Sequence, residues 1–202
     1  MGLSCHGLSS PDRLLRKNGL QPDDVLILTQ PLGVGVIFAG QSQGKAQCQW
    51  IDQVLEPMLQ SNQHASNIAQ SFGVTACTDV TGFGLLGHLW EMVESSGVRV
   101  CLKLDEIEVL TGALKLSQDG VQSSLFNQNA LIQSRLKYSP EMKKHPHWPL
   151  LFDPQTSGGL LLAIPQPQVK LCLQTLKAEG FQGSHQVGQV LAIDSNPVIQ
   201  LQ

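Results

Sequence analysis

Two short apolar runs bounded by turn residues constrain this chain more than any other feature. Val25-Leu26-Ile27-Leu28 sits between Pro22-Asp23-Asp24 and Pro31-Leu32-Gly33. Gly158-Gly159-Leu160-Leu161-Leu162-Ala163-Ile164 is closed by Pro165 and Pro167. Continuous apolar runs of this length suit strands buried on both faces. Such strands require helices on both sides of the sheet. Between Ala46 and Leu59 the residues Trp50, Val54 and Met58 recur at helical spacing, with Pro57 near the end. A second helix is predicted from Gln63 to Phe72, closed by Gly73. A third carries Leu85, Leu89, Met92 and Val93 on one face and stops at Gly97. Val169, Cys172, Leu173 and Leu176 mark a fourth, ending at Gly180. Further strands are predicted over Val74–Val80, Val98–Leu104 and His185–Ile193, with an edge strand at Val198-Ile199. Asp12–Lys17 suits one or two helical turns. The stretch 105–150 is less regular: a short helix around Leu114–Leu116, another over Leu125–Lys137, and a rigid, exposed connection at Pro140, Pro146 and Pro149. The expected architecture is α+β, a mixed sheet covered by helices in one domain with an N-terminal extension.

With 202 residues and 42% hydrophobic content, the chain can bury a real core. The net charge of -3 and the lack of a basic stripe argue against a nucleic-acid footprint. No apolar run approaches the ~18–20 residues that cross a bilayer. Met1–His6 has neither a basic nor an apolar signal region, so no signal peptide is expected there. The five cysteines are scattered and form no CxxC. Cys77 and Cys101 lie in apolar segments and read as buried thiols of a cytoplasmic protein. Cys5 reads as a cysteine near a frayed terminus rather than a nucleophile.

Two stretches could carry chemistry. Thr78-Asp79-Val80-Thr81-Gly82-Phe83-Gly84-Leu85-Leu86-Gly87-His88 puts a carboxylate at a strand end, then two glycines before a helix. Strand end, glycine loop and helix N-terminus make an anion site. A carboxylate beside phosphate makes sense if it holds a divalent cation. Asp79 serves equally well as an N-terminal helix cap on these grounds. His88 reads as a packed histidine with one hydrogen bond, and Trp90 and Glu91 fall on the solvent side, where they could equally meet a partner domain. Asp153-Pro154-Gln155-Thr156-Ser157-Gly158-Gly159 reads as a strand entry packed against a helix. Walker, Rossmann-type, GxSxG and HExxH patterns are absent.

Together these motifs, with Asp24–Thr29 and Pro31-Leu32-Gly33 ahead of them, resemble the C-terminal half of selenophosphate synthetase (selenide, water dikinase) from about residue 10 onward. The resemblance implies a three-layer α/β/α domain with a mixed sheet, like the C-terminal domain of aminoimidazole ribonucleotide (AIR) synthetase. It implies residues 1–20 as a lead-in or linker and 21–202 as the domain. The family reaction converts selenide, ATP and water to selenophosphate, phosphate and AMP with Mg²⁺, in homodimers. An N-terminal domain supplies most of the ATP site there, and it is expected to be missing here, leaving this chain alone inactive. Carried over by motif, Asp79 is the metal ligand, and Thr81, Gly82 and Gly84 form the phosphate-facing loop. No catalytic residue is assigned, and the family's catalytic cysteine is not placed on Cys5. Gln30 and Val34 stand where the family usually has Lys and Thr, and Gln122-Ser123-Ser124 replaces a Gly-Gly-Thr loop. The rival expectations are a non-catalytic binding module of the same fold, or another ATP-dependent synthase of the superfamily.

Overall fold

The computed structural model describes residues 4, 6–193 and 197–202, so Cys5 lies outside the described residues. In chain order the elements are β1 (Val25–Leu28), α1 (Val34–Ser42), α2 (Cys48–Leu59), α3 (Asn62–Ser71), β2 (Ala76–Asp79), α4 (Gly84–Ser96) and β3 (Val98–Leu102). Then come α5 (Ala113–Gln118), α6 (Phe126–Asn129), β4 (Leu136–Lys137), β5 (Leu160–Ile164), α7 (Val169–Ala178), β6 (His185–Ile193) and β7 (Val198–Leu201).

All seven strands form one mixed sheet in the order β2-β5-β1-β6-β3-β7-β4. The two apolar runs are its centre, as expected. Every residue of β1 and β5 is buried, and their side chains alternate between two cores. Leu26, Leu28, Leu161 and Ala163 face α4, which contributes Leu85, Leu86, Leu89, Met92 and Val93. Val25, Ile27, Leu160, Leu162 and Ile164 face the other way, onto α3 and α7. This period-two division is what a strand between two helical layers requires. A third cluster joins α1, α2 and α5 around Ile37, Trp50 and Leu116. Gly97 ends α4 in the left-handed conformation at φ 63, ψ 45.

The structure departs from expectation in four places. β7 is not the edge: it lies between β3 and β4, parallel to both. Asp12–Lys17 is not helical beyond one 3-10 turn at Pro11–Arg13. The chain then lines the exposed edge of β2, where Cys77 donates its backbone N–H to the Arg16 carbonyl at 2.8 Å. An unpaired strand edge needs such a cover. The predicted helix over Leu125–Lys137 breaks into α6, a 3-10 stretch over Ala130–Arg135 and β4. Its core-facing residues are Phe126, Ala130, Ile132 and Leu136. The spacing from Phe126 to Ile132 does not hold one face of a straight 3.6-residue helix. The proline-rich connection is not wholly exposed either, because Trp148, Leu150, Leu151 and Phe152 are buried.

Candidate functional site

Asp79 is the last residue of β2, opposite Leu160 of β5, and its carboxylate emerges at the surface. It caps nothing: the N-cap of α4 is Phe83, without a side-chain cap bond. The capping alternative therefore falls. Among the described residues the Asp79 carboxylate has no hydrogen bond or ion pair. It lines a cavity of ≈ 430 Å³ together with Lys17, Asn62, Gln63, Ser66 and Thr78. In that wall Asn62 Oδ1 is buried and accepts no hydrogen bond, while Asn62 Nδ2 donates to the Gly158 carbonyl at 2.9 Å.

Val80, just past the end of β2, is buried, and the Thr81 side chain reaches His88 of α4. Thr81 O accepts from Gly84 N–H and Gln155 N–H, each at 3.0 Å, which closes Thr81–Gly84 into a turn. The N–H groups of Gly82 and Phe83 have no acceptor among the described residues. Gly84 needs its hydrogen: φ is 69, and a Cβ would meet the Phe152 backbone at 2.9 Å. Gly82 does not, since a Cβ there would meet nothing within 4 Å. The fold leaves that side of Gly82 open. Phe83, a ring between two glycines with little local cover, is 58% exposed. Trp90 departs from the solvent-side expectation: it packs partly buried against the core, with the Arg135 guanidinium 5.4 Å over its ring.

His88 makes two hydrogen bonds rather than one. Its Nε2 pairs with Thr81 Oγ1 at 3.1 Å and its Nδ1 with Glu91 Oε2 at 3.2 Å. Lys17 Nζ reaches the same Glu91 oxygen at 2.7 Å. Burial lowers the His88 pKa, against the opposing pull of Glu91, so the ring is neutral at pH 7. Burial pushes the Cys77 thiol up to about 12, with a smaller contribution from Asp79, leaving it inert.

The second motif supports the first from behind. Gln155 Oε1 accepts from Gly33 and Val34 N–H at 3.1 Å each, and Asp153 Oδ2 accepts from Val36 N–H at 3.0 Å. These side chains satisfy the orphan donors at the start of α1. Burial raises the Asp153 pKa to about 6 despite these bonds. Asn129 Nδ2 ties the carbonyls of Gly82 and Phe152 together at 2.9 and 3.0 Å. Sequence reasoning missed Asn62, Asn129 and Lys17. None belongs to a motif, and only its position in space gives it a role.

A divalent cation of the magnesium type seeks oxygen ligands. An unpartnered carboxylate beside an orphaned buried amide oxygen is a donor set that fits one. It is incomplete, because no group of three or more His, Cys, Asp or Glu able to hold a metal occurs among the described residues. The unpaired turn N–H groups ahead of α4 suit an anion.

Strand, glycine turn and helix arranged on this sheet define a class. Residues 21–198 match the family described as AIR synthase related protein, C-terminal domain, and the chain belongs to it. Within that class its sequence relatives are selenide, water dikinases. It is 34% identical over 199 residues to selenide, water dikinase 2 of Peptoclostridium acidaminophilum, covering 98% of this chain and 57% of that protein. It is 37% identical over 191 residues to selenide, water dikinase of Pelobacter propionicus, covering 94% and 55%. The chain thus spans little more than half the length of these relatives. Among solved structures, hydrogenase maturation protein HypE in complex with ATP superposes with a TM-score of 0.66 at 13% identity, covering 93% of this chain and 49% of that one. Thiamine-monophosphate kinase from Stenotrophomonas maltophilia gives 0.62 at 16%, covering 93% and 52%. These confirm the three-layer AIR synthetase-like fold. No helix among the described residues is long and apolar enough to cross a membrane.

Proposed function

We propose that this chain is the phosphate-closing half of a selenide, water dikinase, the enzyme that makes selenophosphate from selenide, ATP and water with release of AMP and phosphate. The observation that carries the reading is the free Asp79 carboxylate beside the orphaned Asn62 oxygen, next to the open Thr81–Gly84 turn. In this reading Asp79 is a ligand of Mg²⁺, with Asn62 Oδ1 its neighbour in the wall. The cation neutralises the phosphates of bound ATP. Gly82 and Phe83 offer N–H groups to a phosphate oxygen, and the missing Cβ of Gly82 lets it approach. Gly84 shapes the turn. Thr81 closes the same turn through its carbonyl, which accepts from Gly84 N–H. A single carboxylate cannot organise a triphosphate and its cations, so the chain alone turns over no ATP. The remaining ligands, the selenide site and the homodimer contacts belong to an N-terminal half like that of the relatives.

The test joins this chain to the N-terminal half of a matched dikinase and follows selenide-dependent AMP formation. Asp79→Asn is expected to abolish turnover while leaving the melting temperature of this domain unchanged. Full turnover in the Asn variant overturns the ligand assignment. Selenide-dependent AMP release by the present chain alone overturns the need for a second half.

A further inference from the structure

Two opposite charges line the cavity at the end of β2 without meeting. Asp79 has no ion pair among the described residues. Lys17 is the only cation among the described residues that line the cavity, and its ammonium lies on Glu91 of α4 at 2.7 Å instead. The backbone that carries Lys17 is fixed on both sides. Arg16 O accepts from Cys77 N–H at 2.8 Å, and the N–H groups of Gly19 and Leu20 donate to Ser96 Oγ at 3.0 and 3.2 Å. Leu15 packs against the core that α3 and α7 cover. The side chain is freer, because Lys17 and Glu91 are 45% and 38% exposed. An ion pair this exposed is weak and screened by salt, so a stronger anion can take the ammonium from it. A phosphate group is such an anion, with more charge and more acceptor oxygens than a carboxylate.

We infer that Lys17 is a phosphate-binding residue that Glu91 holds in reserve: when a polyphosphate enters the cavity with its cation at Asp79, the ammonium swings from Glu91 to a phosphate oxygen. No proton moves in this exchange, and no covalent bond changes. The role rests on the reading of the Asp79 cavity as a cation and phosphate site. A divalent cation on a single carboxylate leaves a surplus of one positive charge, which is small against a polyphosphate, and Lys17 doubles it. Glu91 meanwhile keeps the ammonium off Asp79 while the cavity is empty, so the carboxylate stays free for its cation. The lead-in segment thus supplies a wall of the site as well as a cover for the β2 edge.

Magnesium tripolyphosphate, titrated into the 202-residue chain and followed by calorimetry, tests this, because it presents phosphates with no base to be held elsewhere. Lys17→Gln is expected to weaken binding about tenfold, the scale of one hydrogen bond between charged groups, and Lys17→Arg to keep most of it. Glu91→Gln is expected to tighten binding by about threefold, the scale of an exposed ion pair, because the ammonium no longer leaves a partner. A pair that only pins the lead-in would weaken binding when broken from either end. Charge acting at a distance would also give opposite signs, and a double variant separates it from contact. With Lys17→Gln and Glu91→Gln combined, binding should match Lys17→Gln alone, since no ammonium is left to hold. Additive effects in the double variant overturn the contact, and so does Lys17→Gln binding like the wild type. A wild-type chain that takes up no tripolyphosphate overturns it too, while turnover of the joined enzyme carrying Asp79→Asn still decides the reading of Asp79. If Asp79→Asn binds magnesium tripolyphosphate like the wild type and Lys17→Gln does not, the cation assignment falls and the lysine contact stands.

Discussion

Asp153 and His88 are buried titratable groups whose pKa values move in ways that oppose each other with pH. Asp153 rises from about 3.8 to about 6 in the fold. Between those values the folded chain keeps a proton that the unfolded chain releases, so this contribution to stability is greatest below pH 4 and declines as pH rises to 6. The decline is on the order of 3 kcal/mol. His88 is lowered from its usual 6.5, so its contribution is intact above that pH and is lost as pH falls. Asp153→Asn keeps an oxygen for Val36 N–H and removes the buried charge. Its stability advantage over the wild type is expected to grow from pH 4 to 6 and then level off, read from urea midpoints at each pH. A difference that stays constant across that range refutes the assignment. At the turn, Gly84→Ala should cost at least about 1 kcal/mol, because a Cβ is forced into the left-handed region against Phe152. Gly82→Ala should melt like the wild type and lose nucleotide binding in the joined enzyme. If it binds nucleotide normally, Gly82 is not on the phosphate path.

The elements that could be read in the sequence are those whose cause is local. β1 and β5 announced themselves as apolar runs, and α4 through its apolar face and Gly97. Asp79 and the glycine turn were visible because strand end, turn and helix start are neighbours in sequence. The supports of that turn were not visible, because their partners are distant. Asn129 reaches Gly82 across 47 residues, and Gln155 caps the start of α1 from 122 residues away. The Asp153–Gly159 motif could be read as structural, but its target could not. β7 was misplaced for the same reason. Alternation marks a strand without naming its neighbours, and a two-residue β4 is too short to show any period. The lead-in gave least, since Asp12–Lys17 looks like one or two helical turns until the bare edge of β2 is known. Removing the residues before Gly19 should expose that edge and Leu15's packing partners. Lower stability and concentration-dependent association in light scattering are expected. A monomer as stable as the intact chain would show that the segment covers nothing of consequence.

At the scale of the whole molecule, the face around Asp79 and the Thr81–Gly84 turn is left without a roof. Phe83 stands out on it at 58% exposure, and Leu131 is 76% exposed on the neighbouring irregular stretch. Phe83→Ser should change the stability of this chain by no more than about 0.5 kcal/mol, as an exposed substitution does. It should weaken closure in the enzyme joined to an N-terminal half, raising the KM for ATP. A large loss of stability in the chain alone would mean that Phe83 belongs to this domain's own core.

The strap along β2 has a consequence for assembly. It delivers the chain to the domain beside Asp79, so a partner attached ahead of residue 13 begins its search already at the right face. Covalent attachment by a short flexible segment is equivalent to a local concentration on the order of millimolar. A weak contact is then sufficient to close the site in the reading proposed above, and can open again. Supplied as a separate polypeptide, the same partner would have to reach that concentration in solution, and two halves that work well in one chain would scarcely meet when cut apart.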